Sequence, residues 1–292
     1  MKALVTGAGG MLGVMLCGEL KNNGYEVFPT DVIPGGVDMR PLDITDMKAV
    51  TDCIKDINPG IIFHAGAETD VDKCEREKDY AYKVNTLGTE NIALACQGRG
   101  ITMAYISTCG VFDGMKEGPY NEFDEPAPIS IYTKSKYEGE KTVRGLLNRY
   151  FIFRAGWMIG GGKKDKKFVA KILRLLKTKN TLTVVNDKFG CPTYTKDFSQ
   201  GLLKVVGLSR YGLYHITNEG RASRYDIACK IVEHLKKDNV TIKPISSAEF
   251  LLPAPRPRSE VVDNYKLKLL GIRMRPWEEA LKEYLDEFNN EE

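Results

Sequence analysis

Tyr132 and Lys136 stand four residues apart in the run Y-T-K-S-K, a spacing that puts both side chains on one face of a helix. A positive charge beside a phenol stabilises the phenolate and lowers a pKa that is otherwise about 10. Such a phenol can exchange a proton with a carbonyl or an alcohol near neutral pH. The pattern alone also fits a surface helix with a solvated lysine, so it needs support from elsewhere in the chain. Upstream, an apolar run ends in Ile106, Ser107 and Thr108. A strand there would bring hydroxyls to the carboxyl edge of a sheet, where ligands bind in open α/β folds. Thr108 could then hydrogen-bond the oxygen that Tyr132 protonates.

These side chains need a partner molecule that accepts or supplies electrons, and the amino-terminal end of the chain offers a place for one. The run T-G-A-G-G-M-L-G spans Thr6 to Gly13, directly after an apolar strand and at the opening of a helical pattern. Gly7, Gly10 and Gly13 recur at intervals of three. They let the backbone turn sharply and approach a pyrophosphate at the helix N-terminus, where the free N–H groups of Met11, Leu12 and Gly13 favour negative charge. Asp31 closes the second strand, 18 positions after Gly13, where a carboxylate hydrogen-bonds the adenine ribose and repels a 2′-phosphate. The cofactor expected is NAD(H) or NADP(H), with a lean to NAD. Arg40, at the end of a loop from Pro34, opposes that lean by offering a cation to the same region. Asp43 and Ile44 precede the next helix, and on spacing alone they read as a capping segment (Thr45 or Asp46 as the cap) and a buried apolar residue.

The elements that must position these groups alternate. Strands are expected at Ala3–Thr6, Glu26–Thr30, Ile61–His64, Met103–Ile106 and Tyr150–Phe153, and helices at Met11–Asn22, Met47–Ile57, Asp79–Gln97 and Lys134–Leu147. Short apolar runs alternating with helical stretches predict an α/β fold, a Rossmann-type doubly wound parallel sheet. After about Arg154 the pattern loosens. Gly160 to Gly162 lead into a lysine cluster, a helix over Lys167–Leu176, strand-like pieces, the strand of G-L-Y-H-I-T, a helix over Ser223–Lys236, a strand at Val240–Pro244 and a closing helix at Trp277–Phe288. The expected division is residues 1–155 for the dinucleotide and 156–292 mainly for a smaller α/β substrate-binding domain, with some segments returning to the first.

Composition narrows the class. The chain has 292 residues, 42 Lys and Arg against 39 Asp and Glu, and a net charge of +3, too little for a broad phosphate-neutralising face, so no nucleic-acid partner is expected. No apolar run approaches the roughly 20 residues that span a bilayer, and the first residues lack a signal-peptide pattern. No membrane association is expected, and the location expected is cytoplasmic. Seven scattered cysteines and three separated histidines show no metal-ligand spacing, so no metal is expected.

With these residues in view the sequence resembles the extended short-chain dehydrogenase/reductase family, and within it the dTDP-4-dehydrorhamnose reductases. The resemblance rests on T-G-A-G-G-M-L-G, the run His64 to Glu75, Val84 to Asn91, Y-I-S-T and V-F-D-G around Thr108, Y-T-K-S-K-Y-E-G-E from Tyr132, F-R-A-G-W ending at Trp157, Asn186 to Thr193, G-L-Y-H-I, and R-P-R-S from Arg256. It implies that Thr108, Tyr132 and Lys136 are the catalytic hydroxyl, proton donor and activating lysine. It also implies that Ala65, Gly66 and Ala67 line the cofactor, and that Asp43 and Ile44 touch the adenine, reversing the capping reading. Thr69 and Val71 would face the sugar, Trp157 would pack on it, and Asn85 would support the site. The implied reaction is NAD(P)H-dependent reduction of the C4 ketone of a nucleotide-linked 6-deoxy-hexose.

One departure stands out. The family's usual Ser-Thr-Asp-Tyr is Ser107, Thr108, Cys109 and Gly110 here. The tyrosine beside the substrate is missing, which predicts a wider or reshaped sugar pocket. An Asp-Glu pair suited to 4,6-dehydration is missing too, and Cys109 reads as a small tolerated residue and not a reactive thiol. The substrate's diphosphate needs cations. Arg256 suits it by its bidentate geometry, while the lysine run 163–167 reads equally as a solvated loop. Trp157 reads equally as core. Two alternatives remain open at this stage: a nucleotide-sugar epimerase of the same family, and a non-catalytic NAD(P)-binding regulatory subunit like that of methionine adenosyltransferase. A homodimer is an admissible assembly.

Overall fold

The computed structural model describes residues 1–35 and 38–290; residues 36 and 37, within the loop that was expected to carry Arg40 to the ribose, lie outside the described residues. The strands are β1 (Lys2–Thr6), β2 (Glu26–Asp31), β3 (Arg40–Pro41), β4 (Ile61–His64), β5 (Thr102–Thr108), β6 (Tyr150–Ala155), β7 (Trp157–Ile159), β8 (Thr181–Val185), β9 (Phe189–Gly190), β10 (Pro192–Tyr194), β11 (Gly212–Ile216), β12 (Ala222–Ser223) and β13 (Thr241–Ile245). The helices are α1 (Met11–Asn22), α2 (Met47–Ile57), α3 (Val71–Arg76), α4 (Lys78–Tyr82), α5 (Gly88–Gln97), α6 (Ile131–Leu146), α7 (Phe168–Leu175), α8 (Thr195–Gly207), α9 (Arg224–His234), α10 (Tyr265–Leu269) and α11 (Trp277–Asn290).

Among the described residues, seven strands form the main sheet in the order β11-β6-β5-β4-β1-β2-β3, and every pairing in it is parallel. Parallel strands covered on both faces must be apolar at every position. Accordingly Ala3, Val5, Ile61 and Phe63 enter one core cluster while Leu4 and Ile62, alternating with them, enter the other. The strand order reverses between β1 and β4, which opens a crevice at their carboxyl ends. β11 joins this sheet beside β6, and α8 packs with α1 in the same core cluster. A separate core joins α7, α9, α11, β7 and β8 through residues such as Val169, Ile172, Ile227 and Trp277.

Three differences from the sequence reading bear on the site. Helix α6 begins at Ile131 and not at Lys134, because Ser130 and Thr133 form a reciprocal capping box. Threonine in place of the usual Glu or Gln made that signal hard to see, and the consequence is that Tyr132 lies in the first turn of α6. The single helix expected over 79–97 is α4, a π-helical turn at Lys83–Leu87 and α5. Finally, β5 runs to Thr108 and not Ile106, so the catalytic hydroxyl candidate is the last strand residue.

Candidate active site

The glycine loop fits a dinucleotide. Gly7 has φ +69°, and a Cβ there would stand 2.6 Å from the Gly66 nitrogen. A Cβ on Gly13 would stand 2.1 Å from the Gly7 oxygen. The β1–α1 turn, the Ala65–Gly66–Ala67 segment after β4 and the first turn of α1 therefore meet with backbone against backbone. Gly10 caps α1 without a side-chain hydrogen bond, so the N–H groups of Met11, Leu12 and Gly13 lack an intrahelical acceptor and suit a pyrophosphate. From the other half of the chain Gly161 closes on this helix start, its would-be Cβ 2.9 Å from the Met11 Cα.

Asp31 ends β2 and accepts from the Gly9 N–H at 2.9 Å and the Ile33 N–H at 3.2 Å, which holds a carboxylate against the glycine loop. Arg40 is held away from this role by Asp56, at 2.6 Å. Asp46 caps α2, and Asp43 binds the Thr45 N–H and hydroxyl, both at 2.8 Å. Ile44 is buried against Gly88 and lies near Gly66, so the capping arrangement coexists with a position beside the Ala65–Gly66–Ala67 segment.

A buried polar chain braces that segment. The Gly66 N–H donates to the Thr6 hydroxyl at 3.2 Å, and Thr6 Oγ1 lies 2.7 Å from His64 Nδ1. His64 Nε2 lies 3.0 Å from Thr89 Oγ1, which donates onward to the Asn85 carbonyl at 2.8 Å. Thr89 must therefore accept from Nε2–H, and Nδ1 must accept from Thr6. Burial and the neighbouring Lys136 charge push His64 down to about 3, so it works as a neutral relay. Asn85, placed by the π-helical turn, clamps Glu68 through both backbone N–H and carbonyl, at 2.8 and 3.1 Å, and donates to Ser135 at 3.0 Å.

Thr108, Tyr132 and Lys136 come together at the carboxyl end of β5. The Thr108 hydroxyl accepts from the Gly110 N–H at 3.1 Å and eases the charge of the Tyr132 phenol. Burial nevertheless raises the phenol above its ordinary value, with Cys74 and Glu260 adding to the shift. Lys136 is 3% exposed, and burial pushes it down to about 7 against the opposing field of Glu140. Its ammonium rests 4.2 Å from the Tyr105 ring centroid. The lowering of the phenol expected from the four-residue spacing is therefore not found: burial raises Tyr132.

The facing wall comes from the second half of the chain. Trp157 is half-buried, donates its indole N–H to Glu260 Oε2 at 2.9 Å and carries the Arg224 guanidinium on its ring at 3.8 Å. Burial lowers Arg224 to about 10, and among the described residues its guanidinium takes part in no hydrogen bond or ion pair. Arg256, the expected diphosphate ligand, pairs with Asp72 at 3.0 Å and donates to the Ala254 carbonyl at 2.9 Å. Thr69 is exposed at the cleft, where its carbonyl and hydroxyl accept from Lys167 at 3.1 Å each. Val71 opens α3 above it, behind the Asp70 cap. Sequence reasoning missed Arg224 and Glu260 as members of this wall, and named Lys167 only as part of the lysine run 163–167, without a role of its own. Only the capping box Ser223 to Asp226, which marks Arg224 as the first residue of a helix, hinted at one of them.

The family pattern described as "RmlD substrate binding domain" matches residues 1–290. The chain belongs to this family of extended short-chain dehydrogenases/reductases. It is 37% identical over 286 residues to the spore coat polysaccharide biosynthesis protein SpsK of Bacillus subtilis, covering 98% of this chain and 97% of that one. A crystal structure of a dTDP-4-dehydrorhamnose reductase from Clostridium acetobutylicum superposes with a TM-score of 0.93 at 40% identity, covering 99% of this chain and all of that one. A dTDP-4-dehydrorhamnose reductase from Bacillus anthracis, solved in complex with NADP, gives a TM-score of 0.91 at 39% identity, covering 98% of this chain and 99% of that one.

Against the reductase pattern, Cys109 and Gly110 directly follow Thr108 and are both buried. Cys109 is fully buried and its thiol is pushed well above the ordinary range by burial, which fits a packing residue. Gly110 leaves no room for a larger side chain without displacement: its Cβ would stand 3.0 Å from Thr133 Cγ2 and 3.6 Å from Glu260 Oε1.

Proposed function

We propose that the crevice between the glycine loop and the Trp157 wall reduces the C4 ketone of a nucleotide-linked 6-deoxy-hexose, with Tyr132 as the proton donor. The chain is an NAD(P)-dependent oxidoreductase of the dTDP-4-dehydrorhamnose reductase family, and a nicotinamide cofactor follows from that membership. The observation that carries the site reading is the meeting of Thr108, Tyr132 and Lys136 at the end of β5, beside the backbone cradle of Gly7, Gly13 and Gly66.

Gly7, Gly10 to Gly13 and Ala65 to Ala67 hold the dinucleotide, Asp31 takes the adenine ribose, and Asp43 with Ile44 flanks the adenine. Bound there, the reduced nicotinamide supplies the hydride for the carbonyl carbon. Tyr132 gives its proton to the C4 oxygen, and the Thr108 hydroxyl orients that oxygen. A phenol raised by burial is fully protonated at neutral pH and is therefore ready to donate. Lys136, near its midpoint at neutral pH, can return a proton towards the phenolate once the phenol has given its own. Thr69 and Val71 border the sugar and Trp157 packs on it. Arg224 is the cation best placed for the diphosphate, because its stacked guanidinium has no competing carboxylate bond, whereas Arg256 is engaged by Asp72.

The lean in cofactor choice is to NADH, from the Asp31 carboxylate and the diversion of Arg40. Among the described residues no helix is long and apolar enough to cross a membrane, and the seven free cysteines fit a reducing, cytoplasmic location. The division at residue 155 is retained as a working one, with β11 and α8 on the cofactor side.

Purified protein should oxidise NADH or NADPH with a dTDP-linked 4-keto-6-deoxy-hexose. Tyr132→Phe should keep cofactor binding and lose turnover by orders of magnitude. Near-normal turnover in that variant would sink the assignment of the proton donor.

A further inference from the structure

Glu260 is a carboxyl in the substrate wall that neither composition nor motif spacing assigns. One of its oxygens is fixed. Oε2 accepts from the Trp157 indole at 2.9 Å, and Trp157 is itself immobilised between the Arg224 guanidinium on its ring and Gly190, where a Cβ would stand 2.4 Å from the indole. The backbone of residues 258–260 is fixed as well, since Phe189 donates to the Arg258 carbonyl at 3.0 Å and accepts from the Glu260 N–H at 2.8 Å.

The other oxygen is free. Oε1 accepts no hydrogen bond among the described residues, and the half-buried side chain leaves it open to the cleft. It faces Gly110, at 3.6 Å from the position of a Cβ there, and that same position lies 3.4 Å from the Thr108 hydroxyl. A Cβ at 110 would sit between Thr108 and Glu260 and press on Thr133 Cγ2 at 3.0 Å. The family's tyrosine is replaced by glycine at this position, so residue 110 presents no side chain beside the carboxyl. Its charge acts on Tyr132 and Cys109, raising both.

A carboxylate oxygen without a partner, on a side chain whose other oxygen is fixed, offers an acceptor to a hydroxyl donor. We propose that Glu260 is a specificity-determining residue whose Oε1 accepts a hydrogen bond from the sugar hydroxyl on C3, one carbon from the ketone, on the side of the cleft next to Thr108 and Gly110. This rests on the reductase reading of the same site. A site that pairs a buried acceptor with a substrate hydroxyl rejects the analogue lacking that hydroxyl far more strongly than an apolar pocket can reject a smaller group.

The test compares the wild type, Glu260→Gln and Glu260→Ala on a dTDP-linked 4-keto-6-deoxy-hexose and on its 3-deoxy counterpart. Glutamine keeps an oxygen for Trp157 and turns the free acceptor into a donor. Both variants should lose roughly 10- to 100-fold in kcat/KM on the 3-hydroxy sugar, mostly through KM, and change little on the 3-deoxy sugar. NADH binding, followed by fluorescence, should stay as in the wild type and confirm folding. Equal losses on both sugars, or no loss on the hydroxy sugar, overturn the proposal while leaving the reductase reading intact. If the wild type turns over neither sugar, the reductase reading fails by itself. Calorimetric binding of the two sugars then decides: a preference for the 3-hydroxy form that Glu260→Ala abolishes supports the contact, and equal binding by the wild type overturns it.

Discussion

The Lys136 ammonium lies 4.2 Å from the centroid of the Tyr105 ring, and Tyr105 stacks on His64 with 5.6 Å between centroids. Three side chains from α6, β5 and β4 thus form a column directly beneath the cofactor-facing segment. The ring face attracts the ammonium, while the neutral state of His64 avoids a second positive charge in the column. A cation in this place costs stability, because Glu140 offsets only part of its desolvation.

Removing the ammonium should therefore stabilise the cofactor-free protein while abolishing reduction. Lys136→Met fills a similar volume without the charge. In the wild type the folded lysine titrates at about 7, against about 10.4 unfolded. The unfolded chain binds the extra proton between these values, so wild-type stability rises with pH across that window. Below about 7 both states are charged and the full cost is present. Urea unfolding should show the methionine variant ahead of the wild type most clearly at pH 6, with the gap shrinking towards pH 10. A methionine variant less stable than the wild type at pH 6 contradicts this account.

Beside the column, Glu140 and Arg154 make a two-pronged ion pair at 2.8 and 2.7 Å, with both side chains essentially inaccessible. Ser107 donates to the same carboxylate at 2.6 Å, which ties β5, β6 and α6 together next to Thr108 and Tyr132. Truncating Arg154 leaves the Glu140 carboxylate buried, with Arg144 at 3.7 Å as its remaining ion-pair partner. Arg154→Met should cost about 3–5 kcal/mol in chemical unfolding, and the double replacement Glu140→Leu with Arg154→Met should recover much of that loss. Additive losses in the double variant argue against a coupled pair.

The readable part of the sequence was the part governed by local rules. The starts and ends of α1 and α2 follow from glycine placement, capping and periodicity, and the apolar runs of β1 and β4 follow from burial on both faces. Tyr132 and Lys136 were visible because one helix carries both. Glu260, Arg224 and Trp157 were not visible as a set: they come from a loop, the start of α9 and the short strand β7, which only the tertiary fold brings together. The π-helical turn that aims Asn85 was hidden too, since its extra residue leaves no mark in the apolar pattern. The direction of the lysine and tyrosine shifts likewise depends on burial, and spacing carries no information about that.

Asp31 offers the sharpest test of the cofactor choice. Its oxygens take the N–H groups of Gly9 and Ile33, so in the proposed binding mode the negative charge would face the adenine ribose and repel a 2′-phosphate. Arg40, the cation that could offset it, is already paired with Asp56. A Bacillus anthracis relative of the same fold was solved in complex with NADP. The wild type should have the higher kcat/KM with NADH. Asp31→Asn keeps one acceptor, replaces the other oxygen with a donor and removes the charge. It should raise NADPH use relative to NADH by roughly tenfold, about 1.4 kcal/mol. Because the carboxylate is partly exposed, the wild-type preference should narrow as salt is added, whereas the asparagine variant should respond less. A wild type that favours NADPH, with no change on Asp31→Asn, removes Asp31 from the selection of cofactor.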